Sequence, residues 1–161
     1  MVSVVATVWN EAGSLQEFLR ALLAQTLPAD EIVISDGGST DGTRELLQEV
    51  AHEEPRVHPI LLPRSNRSVG RNAAIEAARN EIIAVTDAGS RADPDWLERI
   101  TAPLRADPTV CMVGGYYRAL ARSPLQEAIA AATVCHRNAW IPRRSFQAAD
   151  RWPFARRRGR G

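Results

Sequence analysis

The sequence predicts an α/β fold, a three-layer α/β/α arrangement around a mainly parallel sheet. Short apolar runs alternate along the chain with segments whose apolar residues recur at three and four residue steps, the pattern of strands joined by covering helices. Three of those runs break into polar sets at their carboxyl ends: Asn10-Glu11, Asp36 with Asp41, and Asp87. Parallel strands bring such ends to one edge, which is where open α/β sheets meet ligands. At 161 residues, 45% hydrophobic and 24% charged, the chain can bury one real core and has no room for a second full domain.

Each element follows from its own residues. Val2 to Val8 is a continuous apolar run bounded by Trp9-Asn10-Glu11, which suits a strand buried on both faces. Leu15, Phe18, Leu19, Leu22 and Leu23 then form one helical face, ended by Thr26-Leu27-Pro28. A second strand, Ile32 to Ser35, runs into Asp36-Gly37-Gly38-Ser39-Thr40-Asp41-Gly42-Thr43, the stretch around which the chain is organised. Its glycines let backbone approach Asp36 closely, and Ser39, Thr40 or Asp41 is placed to cap a helix over Thr43 to Ala51. That helix turns Leu46, Leu47 and Val50 inward, and Val57 to Leu62 follows as a third strand stopped by Pro63.

Ser68 to Arg79 reads as a helix with Val69, Ala73, Ala74, Ala77 and Ala78 as a small-residue face. Ile82 to Thr86 is a central strand that stops at Asp87-Ala88-Gly89. In Asp93-Pro94-Asp95-Trp96, Asp93 is expected to cap a helix and Pro94 to take its first turn, with Trp96, Leu97, Ile100 and Leu104 as the buried stripe. Val110 to Gly114 is expected as a fifth strand and Leu125 to His136 as a last helix.

The domain is expected over residues 1–141, with 142–161 an Arg-rich, disordered tail. The net charge of +1 conceals this division: residues 1–142 hold 13 Arg against 18 acids, and residues 143–161 hold 7 Arg against Asp150 alone. Such a tail could touch nucleic acid or anionic lipid, but no aromatic platform or folded basic face backs it, so a solvated end is favoured. The most apolar late segment, Leu125 to Val134, is too short to span a membrane and is interrupted by Gln126 and Glu127; peripheral association with a membrane stays open. With no basic flank ahead of the first strand to suggest a secretory signal, the expected location is cytoplasmic. Cys111 and Cys135 lack metal-site spacing and read as free thiols.

The polar strand ends suit a nucleotide. Carboxylates accept from base N–H groups and ribose hydroxyls, while cations and helix N-termini meet a diphosphate. Arg71-Asn72, opening a helix after Ser65 to Gly70, can add a cation to this acidic edge, and Asp87 could carry a divalent metal. Other nucleotide chemistries fail on motif. The sequence has no GxxxxGK[ST] loop, no GxGxxG turn after the first strand, no GxSxG, and no lysine at all.

Taken in order, the blocks Val4 to Glu11, Glu31 to Thr43, Gly70-Arg71-Asn72-Ala73-Ala74 and Val85-Thr86-Asp87-Ala88-Gly89 resemble family 2 glycosyltransferases of the GT-A fold, over about residues 2 to 118. The resemblance implies that Thr7 and Glu11 line a nucleotide pocket, that Asp36 holds the base, usually uracil, and that Arg71 closes over it. Asp87 matches the first Asp of the family's Asp-x-Asp metal and ribose motif. The implied reaction is inverting transfer from a nucleotide sugar, UDP-linked by expectation, with Mg²⁺ or Mn²⁺ at the leaving group. The acceptor, whether lipid, polysaccharide or protein, is not implied.

Two departures stand out. The second Asp of Asp-x-Asp is Gly89, and the nearest spare carboxylate, Asp93, reads as a helix cap. The family's general base is an Asp in a Glu-Asp pair downstream of the metal motif, whereas only Glu127 and Asp150 follow Asp107, neither in such a pair. The catalytic residue is therefore unassigned. The chain reads as the nucleotide-binding portion of such an enzyme, truncated and weakly active, with a non-catalytic nucleotide or nucleotide-sugar binding module as the rival.

Overall fold

A computed structural model describes residues 1–115, 123–126 and 128. In it β1 (Val2–Val8), α1 (Leu15–Leu23), β2 (Glu31–Asp36), α2 (Thr43–Glu53), β3 (Val57–Leu61), α3 (Arg67–Ala77), β4 (Ile82–Val85) and α4 (Trp96–Ala106) follow one another. The four strands are all parallel and stand in the order β3-β2-β1-β4. Central β1 pairs Val8 with Asp36 on one side and Val5 with Val85 on the other.

Strand alternation explains the three layers. Val4, Ala6 and Val8 of β1, with Ile32 and Ile34 of β2, face Leu15, Phe18, Leu19 and Leu22 of α1, Leu47 of α2 and Leu97 of α4. Val5 and Val33 point the opposite way, onto Ala74 of α3 and Ala78 just beyond it. The connections through α1 and α2 carry the chain outward from β1 to β3, and the connection through α3 returns it to β4 on the far side of β1. The carboxyl ends of β1 and β4 thus flank a topological switch point, where such sheets leave a crevice.

A buried polar cluster fastens the opposite edge of the sheet. Glu31, 3% exposed, accepts from Ser3 Oγ at 2.5 Å, from Arg79 N at 2.9 Å and from Arg79 Nε at 2.7 Å. Burial pushes the Glu31 carboxyl up, but hydrogen bonds from the Arg79 backbone, Ser3 and the Arg79 guanidinium outweigh it and hold the group below the usual range.

Two expectations are corrected. Val110 to Gly114 forms no strand. Asp107 instead bends the chain after α4 by accepting from Thr109 N at 2.8 Å and from Val110 N through its carbonyl, and Met112 is left 59% exposed. Asp93 does not cap α4 with its side chain. The N-cap is Asp95, and Gln25, 5% exposed, fills the capping role across the fold. Its Oε1 accepts from Leu97 N at 2.9 Å, and its Nε2 donates to the Asp93 carbonyl at 2.8 Å. The helix expected over Leu125 to His136 lies mostly outside the described residues, and the tail over 142–161 lies wholly outside them. Among the described residues no helix is long and apolar enough to cross a membrane.

Candidate functional site

The crevice at the carboxyl ends of the strands is an open cleft of ≈ 400 Å³. Its lining gathers Thr7, Trp9 and Glu11 at the end of β1 and just beyond it, Ser35 of β2 and Gly37 after it, Arg64 to Asn66 ahead of α3, Arg67 and Gly70 within it, and Asp87 to Gly89 after β4. Three of the five residues expected at a site, Thr7, Glu11 and Asp87, therefore share one wall system. Arg71 reaches the same place indirectly: its Nη2 donates to Asp87 Oδ1 at 2.6 Å, with both side chains partly exposed.

Gly70 is what lets α3 come so close. A Cβ there would stand 2.9 Å from Ser35 Oγ and 3.3 Å from Thr7 Cγ2, so only a glycine permits this approach without a shift. Ser35 Oγ and Ser65 Oγ, both in the cleft lining, are buried hydroxyls without a hydrogen-bond partner. On the other side of the helix start, Asn66 caps α3 by accepting from Val69 N at 3.0 Å.

Asp36 stands differently. It is 0% exposed and is not among the lining residues. Its Oδ2 accepts from Arg44 Nε at 3.0 Å and Nη2 at 2.8 Å, and the backbone N–H groups of Gly38 and Ser39 donate to the same carboxylate. Burial pushes this carboxyl up, and the hydrogen bonds from Ser39, Arg44 and Gly38 together hold it below the usual range. In this geometry the carboxylate shapes the loop that supplies Gly37 to the cleft.

Two loops interlock beside it. Asn10, at a φ of 54°, donates its N–H to Ser39 Oγ at 2.9 Å, and its Oδ1 accepts from Thr40 N at 2.9 Å. Glu11 N donates to Thr43 Oγ1 at 2.8 Å and Ala12 N to Asp41 Oδ2 at 3.1 Å. Asp41 Oδ1 also accepts from Thr43 N at 3.1 Å, so the expected cap is met from one residue outside the N-cap, which is Gly42 at a φ of 93°. The Glu11 carboxylate accepts from Ser14 Oγ.

Sequence reasoning missed Trp9, Arg64 and Arg67. Trp9 is 63% exposed in the cleft lining, an unusual place for an indole at the end of a buried strand. Its signal in the sequence is the aromatic closing an apolar run just before Asn10. Arg64 and Arg67 flank Asn66 in a stretch that carries no periodicity to mark it.

The described residues offer a divalent ion an incomplete donor set: Asp87 faces a guanidinium, position 89 carries no side chain, and no three His, Cys, Asp or Glu side chains converge.

A parallel sheet with a cleft of carboxylates, arginines and close-packed glycines at its switch point is an open α/β architecture, and its similarity to known proteins places it in the GT-A fold. The family model for glycosyl transferase family 2 matches residues 3–153, and the chain belongs to that family. It is 32% identical over 117 residues to the glycosyltransferase AglE of Haloferax volcanii, covering 71% of this chain and 38% of that one. Among solved structures it is similar to the mannosyltransferase PcManGT of Pyrobaculum calidifontis in complex with GDP-Man and Mn²⁺, with a TM-score of 0.60, 33% identity, and coverage of 68% of this chain and 33% of that one. S. aureus TarS in complex with UDP-GlcNAc, 23% identical, shares the fold at a TM-score of 0.59 over 65% of this chain and 31% of that one. The chain thus spans less than two thirds of the length of these relatives.

Proposed function

We propose that this chain binds a nucleoside-diphosphate sugar, UDP-linked, and takes part in its inverting transfer to an acceptor that is a lipid, a polysaccharide or a protein. The observation that carries the reading is the gathering of Thr7, Glu11 and Asp87 around one cleft at the switch point, with Arg71 on Asp87. The exposed indole of Trp9 offers a flat apolar face to a base, and Asp87 a carboxylate to ribose hydroxyls. Asp36 contributes by holding the loop against which the base would rest. Thr7 and Glu11 complete the wall from β1.

In the transfer, an acceptor oxygen that has lost its proton attacks the anomeric carbon while the bond from that carbon to the diphosphate breaks, and its electron pair leaves on the nucleoside diphosphate. This chain's residues would hold and orient the donor for that step. Mg²⁺ or Mn²⁺ belongs to the implied reaction, but no step is assigned to it, because the one carboxylate placed for it, Asp87, is paired with Arg71.

The second, alternative reading is nucleotide-sugar binding without turnover, in which no residue of this chain acts as general base. Calorimetric titration with UDP, and separately with GDP, tests the shared core of both readings. Slow release of sugar from a UDP-sugar by the purified chain supports transfer, and binding without release supports the second reading. No heat with either nucleotide at millimolar concentration would overturn both.

A further inference from the structure

The diphosphate of a bound nucleotide carries charge that must be met inside the cleft, and the cleft lining carries two guanidinium groups. Arg64 and Arg67 both line it, are exposed, and form no ion pair among the described residues. Arg71 stands against Asp87 at 2.6 Å, so the single carboxylate of Asp87-Ala88-Gly89 already has its cation. Position 89 is bare: a Cβ there would meet nothing within 4 Å. The other acid of the lining, Glu11, accepts from Ser14 Oγ. A divalent ion seated on Asp87 would have to displace Arg71 or share the carboxylate with it, with like charges repelling, and position 89 offers no second oxygen. Guanidinium, by contrast, binds phosphate oxygens through a planar fork of donors and is always charged.

We propose that in this chain the charge of the diphosphate is met by Arg64 and Arg67, with Arg71, held by Asp87, adding hydrogen-bond donors rather than net charge, and that nucleotide binding requires no divalent ion. The proposal rests on the nucleotide reading above. It assigns Arg64 and Arg67 as diphosphate ligands and Asp87 as the residue that positions Arg71. The guanidinium groups of Arg64 and Arg67 would also give binding a steep dependence on ionic strength.

The test is calorimetric titration of the full chain with UDP, GDP and uridine, in EDTA and in millimolar Mn²⁺. The affinity of the better nucleoside diphosphate is expected to change by less than about threefold between the two buffers. Arg64→Gln combined with Arg67→Gln should weaken it about tenfold or more while leaving uridine binding unchanged, as expected for charged hydrogen bonds to phosphate. Gly89→Asp, which has room for its side chain, should acquire a response to Mn²⁺ that the wild type lacks. Tightening of wild-type binding by Mn²⁺ of about tenfold or more, lost in Asp87→Asn, would overturn the proposal and leave the nucleotide reading standing. Unaltered affinity in the double arginine variant would also overturn it. Absence of binding by UDP and GDP in both buffers would overturn the nucleotide reading and this proposal together.

Discussion

Replacing Asp36 by alanine separates a carboxylate that shapes a loop from one that touches a ligand. In the structure the side chain is 0% exposed and all its partners are protein groups: Arg44 through two nitrogens, and the N–H groups of Gly38 and Ser39. Breaking a fully buried ion pair costs about 3–5 kcal/mol. Here Arg44 is 34% exposed and keeps the Leu62 carbonyl at 2.8 Å, so it rehydrates in part and the cost falls to about 2–3 kcal/mol. For a chain of this size that corresponds to a fall in Tm of about 4–12 °C. Urea unfolding followed by circular dichroism, with and without UDP, reads both quantities. Arg44→Ala should cost more than Asp36→Ala, because it leaves a buried carboxylate without its cation. An unchanged urea midpoint in Asp36→Ala, together with lost nucleotide affinity, would refute the reasoning and return the carboxylate to the ligand.

Other outcomes follow from the same geometry. Gly70→Ala gains about 0.5–1 kcal/mol of helix preference but places a Cβ 2.9 Å from Ser35 Oγ and 3.3 Å from Thr7 Cγ2, a clash worth about 1–3 kcal/mol; the variant should be less stable by about 1 kcal/mol, and a raised urea midpoint would contradict the packing argument. Thr43→Val removes the buried hydroxyl that accepts from Glu11 N and should cost about 1–2 kcal/mol, which an unaltered unfolding curve would disprove. Glu31 and Asp36 titrate below their unfolded values of about 4, so the unfolded chain binds more protons there, and stability should be full above about pH 5 and decline as the pH falls. Glu31→Gln should flatten that acid limb, and a limb of the same slope in the variant would assign it to other groups.

The strands and their polar ends were legible because burial on both faces forces continuous apolar runs, as in Val2 to Val8, and because a parallel sheet aligns carboxyl ends whatever the loops do. That logic aligned Glu11 and Asp87 at one edge, and the family resemblance added Thr7. It could not supply Arg44 as the partner of Asp36. The pair spans a loop and the first turn of a helix, so only the path of that loop brings them together. Gln25 was equally hidden: a polar residue just past α1 gives no sign that its amide will be buried against the start of α4. Val110 to Gly114 has the composition of a strand, but composition does not provide a neighbour to pair with, and the turn set by Asp107 leads that segment elsewhere.

The clasp between the loop after β1 and the loop after β2 bears on how this cleft could be altered. Asn10 takes a side-chain acceptor from Ser39 and gives one to Thr40, while Thr43 and Asp41 accept from Glu11 and Ala12, so each loop supplies the side chains that fix the other's backbone. Neither is fixed by its own contacts alone. A graft that moves one loop into a related scaffold would arrive without the partners that hold it, and the pair, 10–12 with 39–43, is the smallest unit that can be exchanged. Variation that changes what the cleft accepts would then be expected to occur in both loops together.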